Sequence, residues 1–136
     1  MNRKRSQIPY RNKSPYGWWL AAYVERFELD DEDTSNDRRR CLAWENTILI
    51  HAKSREGAYK KAIRAGKLSE GRTAQTEDGR KGKWRFDGLT SLLPIYEELE
   101  DGAEIVWMEH RGKMVKSIKA MVREKHKLEA FDDSEI

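Results

Sequence analysis

Between Leu42 and Ala52 the apolar residues fall on every second position. Leu42, Trp44, Ile48, Ile50 and Ala52 lie on one side, interrupted only by Asn46, and Glu45, Thr47 and His51 lie on the other. A period of two belongs to a pleated strand with one buried face, so the spacing predicts a strand over residues 41–53. Residues 18–29 are richer still in aromatic and β-branched side chains. They are apolar on both faces at first and alternate later, as in a strand that leaves the centre of a sheet. The run of acids at residues 30–37 reads as a charged loop between the two.

The period then changes. Ser54 is placed to cap a helix over residues 55–65, in which Ala58, Ala62 and Ala65 form a small-residue stripe flanked by Tyr59 and Ile63. Gly66 is expected as the left-handed residue that stops it. Residues 72–77 and 83–89 flank Asp78-Gly79 and predict a hairpin, with Trp84 and Phe86 on one face and Arg85 and Asp87 on the other. Leu92, Ile95, Tyr96 and Leu99 have helical spacing around Pro94, which predicts a short helical turn within residues 90–99. After the Asp101-Gly102 turn, residues 104–110 read as a strand with Ile105 and Trp107 opposite Val106 and Met108. Beyond Gly112, Met114, Val115, Ile118, Met121 and Val122 recur at three- and four-residue spacing among Lys and Arg, which predicts an amphipathic basic helix over residues 114–128.

This order of elements predicts an α+β fold: an antiparallel sheet of four to five strands with one helix packed on a face, plus a C-terminal amphipathic basic helix. The expected layout is a flexible basic arm at residues 1–17, a single α+β domain at 18–110, the C-terminal helix at 111–131 and an acidic tail at 132–136. At 136 residues one domain is the natural size, and no internal repeat is evident.

The ordered set of segments Trp44-Glu45-Asn46-Thr47-Ile48-Leu49-Ile50, Ser54 to Ala62 ending in Gly66, Trp84-Arg85-Phe86-Asp87-Gly88 and Leu99 to Ile105 resembles a bacterial family catalogued only as a domain of unknown function, DUF4288. The resemblance covers roughly residues 18–110 and leaves the basic arm and the last helix outside it. It implies a small bacterial protein and carries over no reaction, cofactor or catalytic residue.

Composition narrows the function by exclusion. No run reaches the length of about 20 apolar residues that a bilayer-spanning helix needs, and the polar start has no apolar core of the kind a secretory signal requires. One cysteine, Cys41, rules out an intrachain disulfide and fits a reducing compartment, so the cytoplasm is expected. His51, His110 and His126 have no ligand-spaced partners, and Glu109-His110 would point to opposite strand faces, so no metal is expected. The glycines form no phosphate-cradling or dinucleotide fingerprint, and no cofactor is expected. Cys41 follows Arg38, Arg39 and Arg40, a setting that can favour thiolate, but His51 is ten residues along an extended strand, about 33 Å away. Glu45, Arg85 and Glu104 are the one set that could do acid–base work if two strands met; ordinary cross-strand ion pairing is the plainer expectation.

Two binding surfaces remain. Trp18, Trp19 and Tyr23, with Trp44, Trp84 and Trp107, are a large aromatic load for one small core, and such residues are enriched at interaction hot spots. They point to a non-enzymatic protein-binding or accessory module whose partner is a second copy, as a homodimer, or another protein. The alternative is weakly specific nucleic-acid binding. Arg3, Lys4, Arg5, Arg11 and Lys13, interleaved with Tyr10 and Tyr16, would contact phosphate together with Lys116, Lys119 and Arg123 of the last helix. The seven acids of residues 25–37 are a competing internal partner for these charges.

Overall fold

The computed structural model describes residues 7–134. The chain divides after Val106 into two compact units, Met1–Val106 and Trp107–Ile136. The first unit holds a four-stranded antiparallel sheet built from β1 (Trp18–Leu29), β2 (Leu42–His51), β3 (Thr73–Gln75) and β4 (Lys81–Pro94), in the order β2-β1-β4-β3. One helix, α1 (Arg55–Lys67), follows β2.

β1 is the central long strand and aligns its neighbours. It sets Trp19 opposite Ile50 and Pro94, Ala21 opposite Ile48 and Leu92, and Phe27 opposite Leu42 and Trp84. Residues directly opposite share a face, so these side chains line one side of the sheet, here called the inner face. The Ala58 and Ala62 positions of α1 have no exposed surface, and they let the helix lie close on Trp19, Ala21, Ile50 and Ala52. Ile48, Leu89 and Leu92 complete this cluster. The buried indole of Trp19 donates to Ala52 O at 3.0 Å, so its polar atom is satisfied inside the core. Ser54 caps α1 as expected, its Oγ accepting the Gly57 N–H at 3.1 Å.

Several expectations are corrected. Gly66 does not stop α1 in a left-handed conformation; the helix runs on to Lys67 and Leu68 caps it in the right-handed region. Gly66 is needed for space instead: a Cβ there would overlap the ring of Phe86, 2.7 Å from Cδ1. The helical turn expected within residues 90–99 is strand: β4 continues to Pro94. Register shifts between Ala22 and Tyr23 and between Val24 and Glu25 insert Thr90 and Asp87 as extra residues on β4, beside Gly88 at φ +146°. Each bulge stretches the inner-face spacing from two to three, at Phe86, Leu89 and Leu92, whereas the helical spacing of Leu92, Ile95, Tyr96 and Leu99 runs across the end of the strand at Pro94. Pro94 is tolerated because Ile95 N donates to Trp18 O, which turns position 94 toward the open side of β4, where no ladder bond is lost.

The expected fifth strand is not formed. Residues 104–110 have no ladder partner among the described residues, and Glu104 N instead closes a turn on the Glu97 carboxylate. Alternation of side chains suggests a strand but supplies no edge to pair with. The flexible arm was expected over residues 1–17. Residues 1–6 lie outside the described part, whereas Tyr10–Asn12 form a 3-10 turn held to the sheet unit. Ser14 Oγ lies 2.6 Å from Trp18 O and 2.9 Å from Ile95 O, sharing one proton between them. Tyr96 OH donates to Arg11 O, and the Tyr10 and Tyr96 rings stack at 6.1 Å.

In the second unit the long basic helix is replaced by a five-residue helix, α2 (Val115–Lys119), followed by 3-10 turns at Lys125–Lys127 and Glu129–Phe131. Met114 offers no capping side chain and the first turn has no acid. Lys119, Arg123 and Lys127 would repeat like charges at every fourth position of a continued helix, which disfavours it. Arg123 instead pairs with Glu129 and donates to Lys127 O. Only Asp132, Asp133 and Ser134 of the expected acidic tail, residues 132–136, are described; Asp132 accepts the Ser134 hydroxyl at 2.6 Å.

Candidate binding surface

α1 covers only part of the inner face. Beyond its C-terminal end the face turns polar at its centre. Glu25 is 3% exposed and belongs to the apolar phase of β1. Asn46 Nδ2 donates to its Oε1 at 3.1 Å, and Ser69 Oγ, in the loop after α1, to its Oε2 at 2.6 Å. Two hydrogen bonds are what make a buried carboxyl group tolerable. The signal for this site was visible in the chain: an acid in the apolar phase of one strand and an amide, Asn46, interrupting that of the next. Sequence reasoning noted the interruption and missed the pairing.

Around this polar centre stands an aromatic wall. Trp84 packs on Phe27 with ring centroids 5.4 Å apart and on Trp44 at 4.6 Å, while Tyr23 meets Phe86 at 5.8 Å. Trp84 and Phe27 are buried, but Trp44 and Leu42 remain 48% and 54% exposed. A cleft of about 290 Å³ opens beside them, lined by Phe27, Leu29, Leu42, Cys41, Thr76, Glu32 and Arg40.

Leu42 and Trp44 belong to an edge strand. Ala52 N donates to Gly17 O, and antiparallel pairing then alternates, so the even residues of β2 turn their backbone groups toward β1. Ala43, Glu45, Thr47, Leu49 and His51 turn theirs outward. Among the described residues these outward groups have no hydrogen-bond partner, except His51 O, which accepts Lys61 Nζ at 2.6 Å. The other edge of the sheet differs. β3 is three residues long and is followed by Arg80, Lys81 and Lys83.

The outer face is charged at one end. Glu28 lies 3.8 Å from Arg26, 3.7 Å from Arg39 and 3.4 Å from Arg85, and Arg26 also binds Asp87 through both carboxylate oxygens. Arg39 further reaches Glu32 at 3.4 Å and Arg85 reaches Glu70 at 3.1 Å. Cys41 is exposed, and the neighbouring Arg39 is committed to these carboxylates. Glu45 and Arg85 therefore make no pair with each other, and Glu104 lies outside the sheet.

Of the expected protein-contact residues, Trp19 is in the core, Trp18 is half-buried and stacks on His51 at 4.5 Å, and Tyr23 is half-buried against Phe86. Of the expected phosphate-contact residues, Arg3, Lys4 and Arg5 lie outside the described residues. Arg11 and Lys13 are exposed on the docked arm, whose Tyr10 is engaged by Tyr96. Lys116 and Lys119 are exposed on α2, and Arg123 is occupied by Glu129. Among the described residues no group of His, Cys, Asp and Glu is placed to hold a metal ion, and no helix is long and apolar enough to cross a membrane.

The fold and this surface define a small α+β sheet domain with one covering helix and a long, regular free edge at β2. The chain belongs to the family described as Domain of unknown function (DUF4288), whose model matches residues 18–107, more than half of its length. No curated protein and no solved structure matches it.

Proposed function

We propose that this chain is a non-enzymatic bacterial protein that works in the cytoplasm as a protein-binding or accessory module. Its working surface is the free edge of β2, and a partner docks there by adding an extended strand. The observation that carries this reading is the row of outward backbone groups from Ala43 to His51, flanked by exposed Leu42, Trp44 and Leu49. Strand addition draws affinity from such main-chain groups and specificity from side-chain pockets beside them, and the cleft next to Leu42 is placed to serve as one.

The test is affinity capture from a bacterial extract with the wild-type chain, Thr47→Pro and Trp44→Ala as baits. Circular dichroism checks that each bait is folded. Proline at position 47 removes an outward N–H without touching the ladder to β1. Proteins retained by the wild type should be lost from both variants. Retention unchanged in both would overturn the reading.

A further inference from the structure

The two edges of this sheet are treated differently by the sequence, and the difference points to an occupant. Exposed strand edges invite pairing, and monomeric proteins blunt them with short strands, Lys, Pro or bulges. The far edge follows that rule: β3 is three residues long and pairs only with Lys81–Lys83, and the open stretch of β4 beyond it carries two bulges, Gly88 and Pro94. β2 does not: across its ten residues, Leu42–His51, it carries no Lys, Arg, Pro or Gly and pairs with β1 without a register shift.

We propose that the occupant of the β2 edge is the β2 edge of a second copy, joined antiparallel about a two-fold axis at Ile48. The proposal rests on the reading of β2 as a docking edge and names its partner. A two-fold axis there sets Glu45 opposite the second copy's His51 and Thr47 opposite its Leu49, and the outward N–H and C=O groups of these residues meet outward groups of the same strand. His51 O uses its second lone pair there, because it already accepts Lys61 Nζ. The charges favour this register. Glu45 and His51 are the only titratable side chains on β2, and both lie on the outer face. An axis at Ile48 places each against the other twice. An axis at Glu45 would oppose two carboxylates, and axes at Asn46 or Thr47 would leave Glu45 against Thr47 or Leu49. An imidazole N–H opposite a carboxylate can donate to it, whereas like charges directly opposite destabilise a strand pair. The same axis brings Trp44 of one copy against Ala52 of the other, which covers part of an indole that is 48% exposed in the single chain. The result is one continuous eight-stranded sheet whose outer edges are the two short β3 strands and the bulged stretches of β4 that end at Pro94.

The test is sedimentation velocity of the full chain from about 1 µM to about 1 mM, the span of modest protein affinities. It is paired with amide hydrogen exchange. Two variants, Thr47→Pro and Leu49→Lys, alter the edge and leave the inner face alone. The wild type is expected to dimerise within this range, with the amides of Glu45, Thr47, Leu49 and His51 becoming protected as concentration rises. Both variants should weaken the dimer about tenfold or more. A wild type that stays monomeric throughout, or a dimer unchanged in both variants, overturns the proposal. A monomer whose captured partners still depend on Thr47 would overturn only the second copy and leave the docking edge standing. Loss of both would reject both.

Discussion

The ring of Phe86 lies against Gly66 where any other residue would carry a Cβ, so the ring packs directly on the backbone of the last turn of α1. Glycine inside a helix ordinarily costs up to about 1 kcal/mol relative to alanine. Here the sign is expected to invert. Gly66→Ala should destabilise the fold by about 1–3 kcal/mol, because the added methyl must displace a packed ring. Urea unfolding of Gly66→Ala, alone and combined with Phe86→Leu, checks the cause: the double variant should recover most of the loss. A stabilised single variant would show that the contact is loose.

Ser69 and Asn46 hold the Glu25 carboxylate from sites 44 and 21 residues away in the chain. Removing either donor leaves a buried carboxyl oxygen short of a partner. Ser69→Ala is expected to cost about 1–3 kcal/mol in urea unfolding, and Ser69→Thr, which keeps the hydroxyl, much less. The loss should also be local. The amides that close the end of α1, such as Leu68 N on Ala65 O, should exchange faster in Ser69→Ala than in the wild type.

Glu70 sets an acid limb to stability. Its carboxylate accepts the Phe86 N–H, which holds it below the usual carboxylate range; Arg85 adds to this and partial desolvation opposes it. In the unfolded chain the group titrates near the ordinary value of about 4.3. A folded value below that means the contribution is complete above the unfolded value and is lost as pH falls through the folded one. The side chain is 41% exposed, so the effect is screened and modest. Glu70→Gln should flatten the fall in stability below about pH 4.5. An acid limb of unchanged slope would assign it to other carboxylates.

What could be read from the chain was whatever is local. β1, β2 and α1 declare themselves because β1 is rich in aromatic residues, the alternation of β2 is interrupted only at Asn46, and Ser54 marks the start of a helix with a small-residue stripe. β4 hid its last residues because two bulges break its alternation after Phe86 and the helical spacing of Leu92, Ile95, Tyr96 and Leu99 spans the strand end at Pro94. The last helix failed for the converse reason. Its apolar spacing was right, while the repeat of Lys119, Arg123 and Lys127, a matter of charge, worked against it. Strand pairing and the Glu25 cluster depend on contacts distant in sequence, which no window of residues contains. The aromatic residues expected to form an interface were correctly seen as numerous; burial divides them, placing Trp19 and Trp84 in the core and leaving Trp44 at the edge.

Backbone phase along β2 makes a prediction that separates edge from ladder. Ile48 N–H turns toward β1, opposite Ala21, and Thr47 N–H turns away from it. Proline at either position imposes the same restriction on φ, but only at position 48 does it remove a ladder bond and a core-packed side chain. Ile48→Pro breaks a central ladder bond and deletes a side chain packed against the core, and should cost about 3 kcal/mol or more. Thr47→Pro, measured at a concentration where the chain is a single copy, should cost about 1 kcal/mol or less. Thermal unfolding of the two side by side gives the answer. If Thr47→Pro collapsed the fold as Ile48→Pro does, the outward phase assigned to residues 43–51 would be wrong, and with it the open edge on which the proposed docking depends.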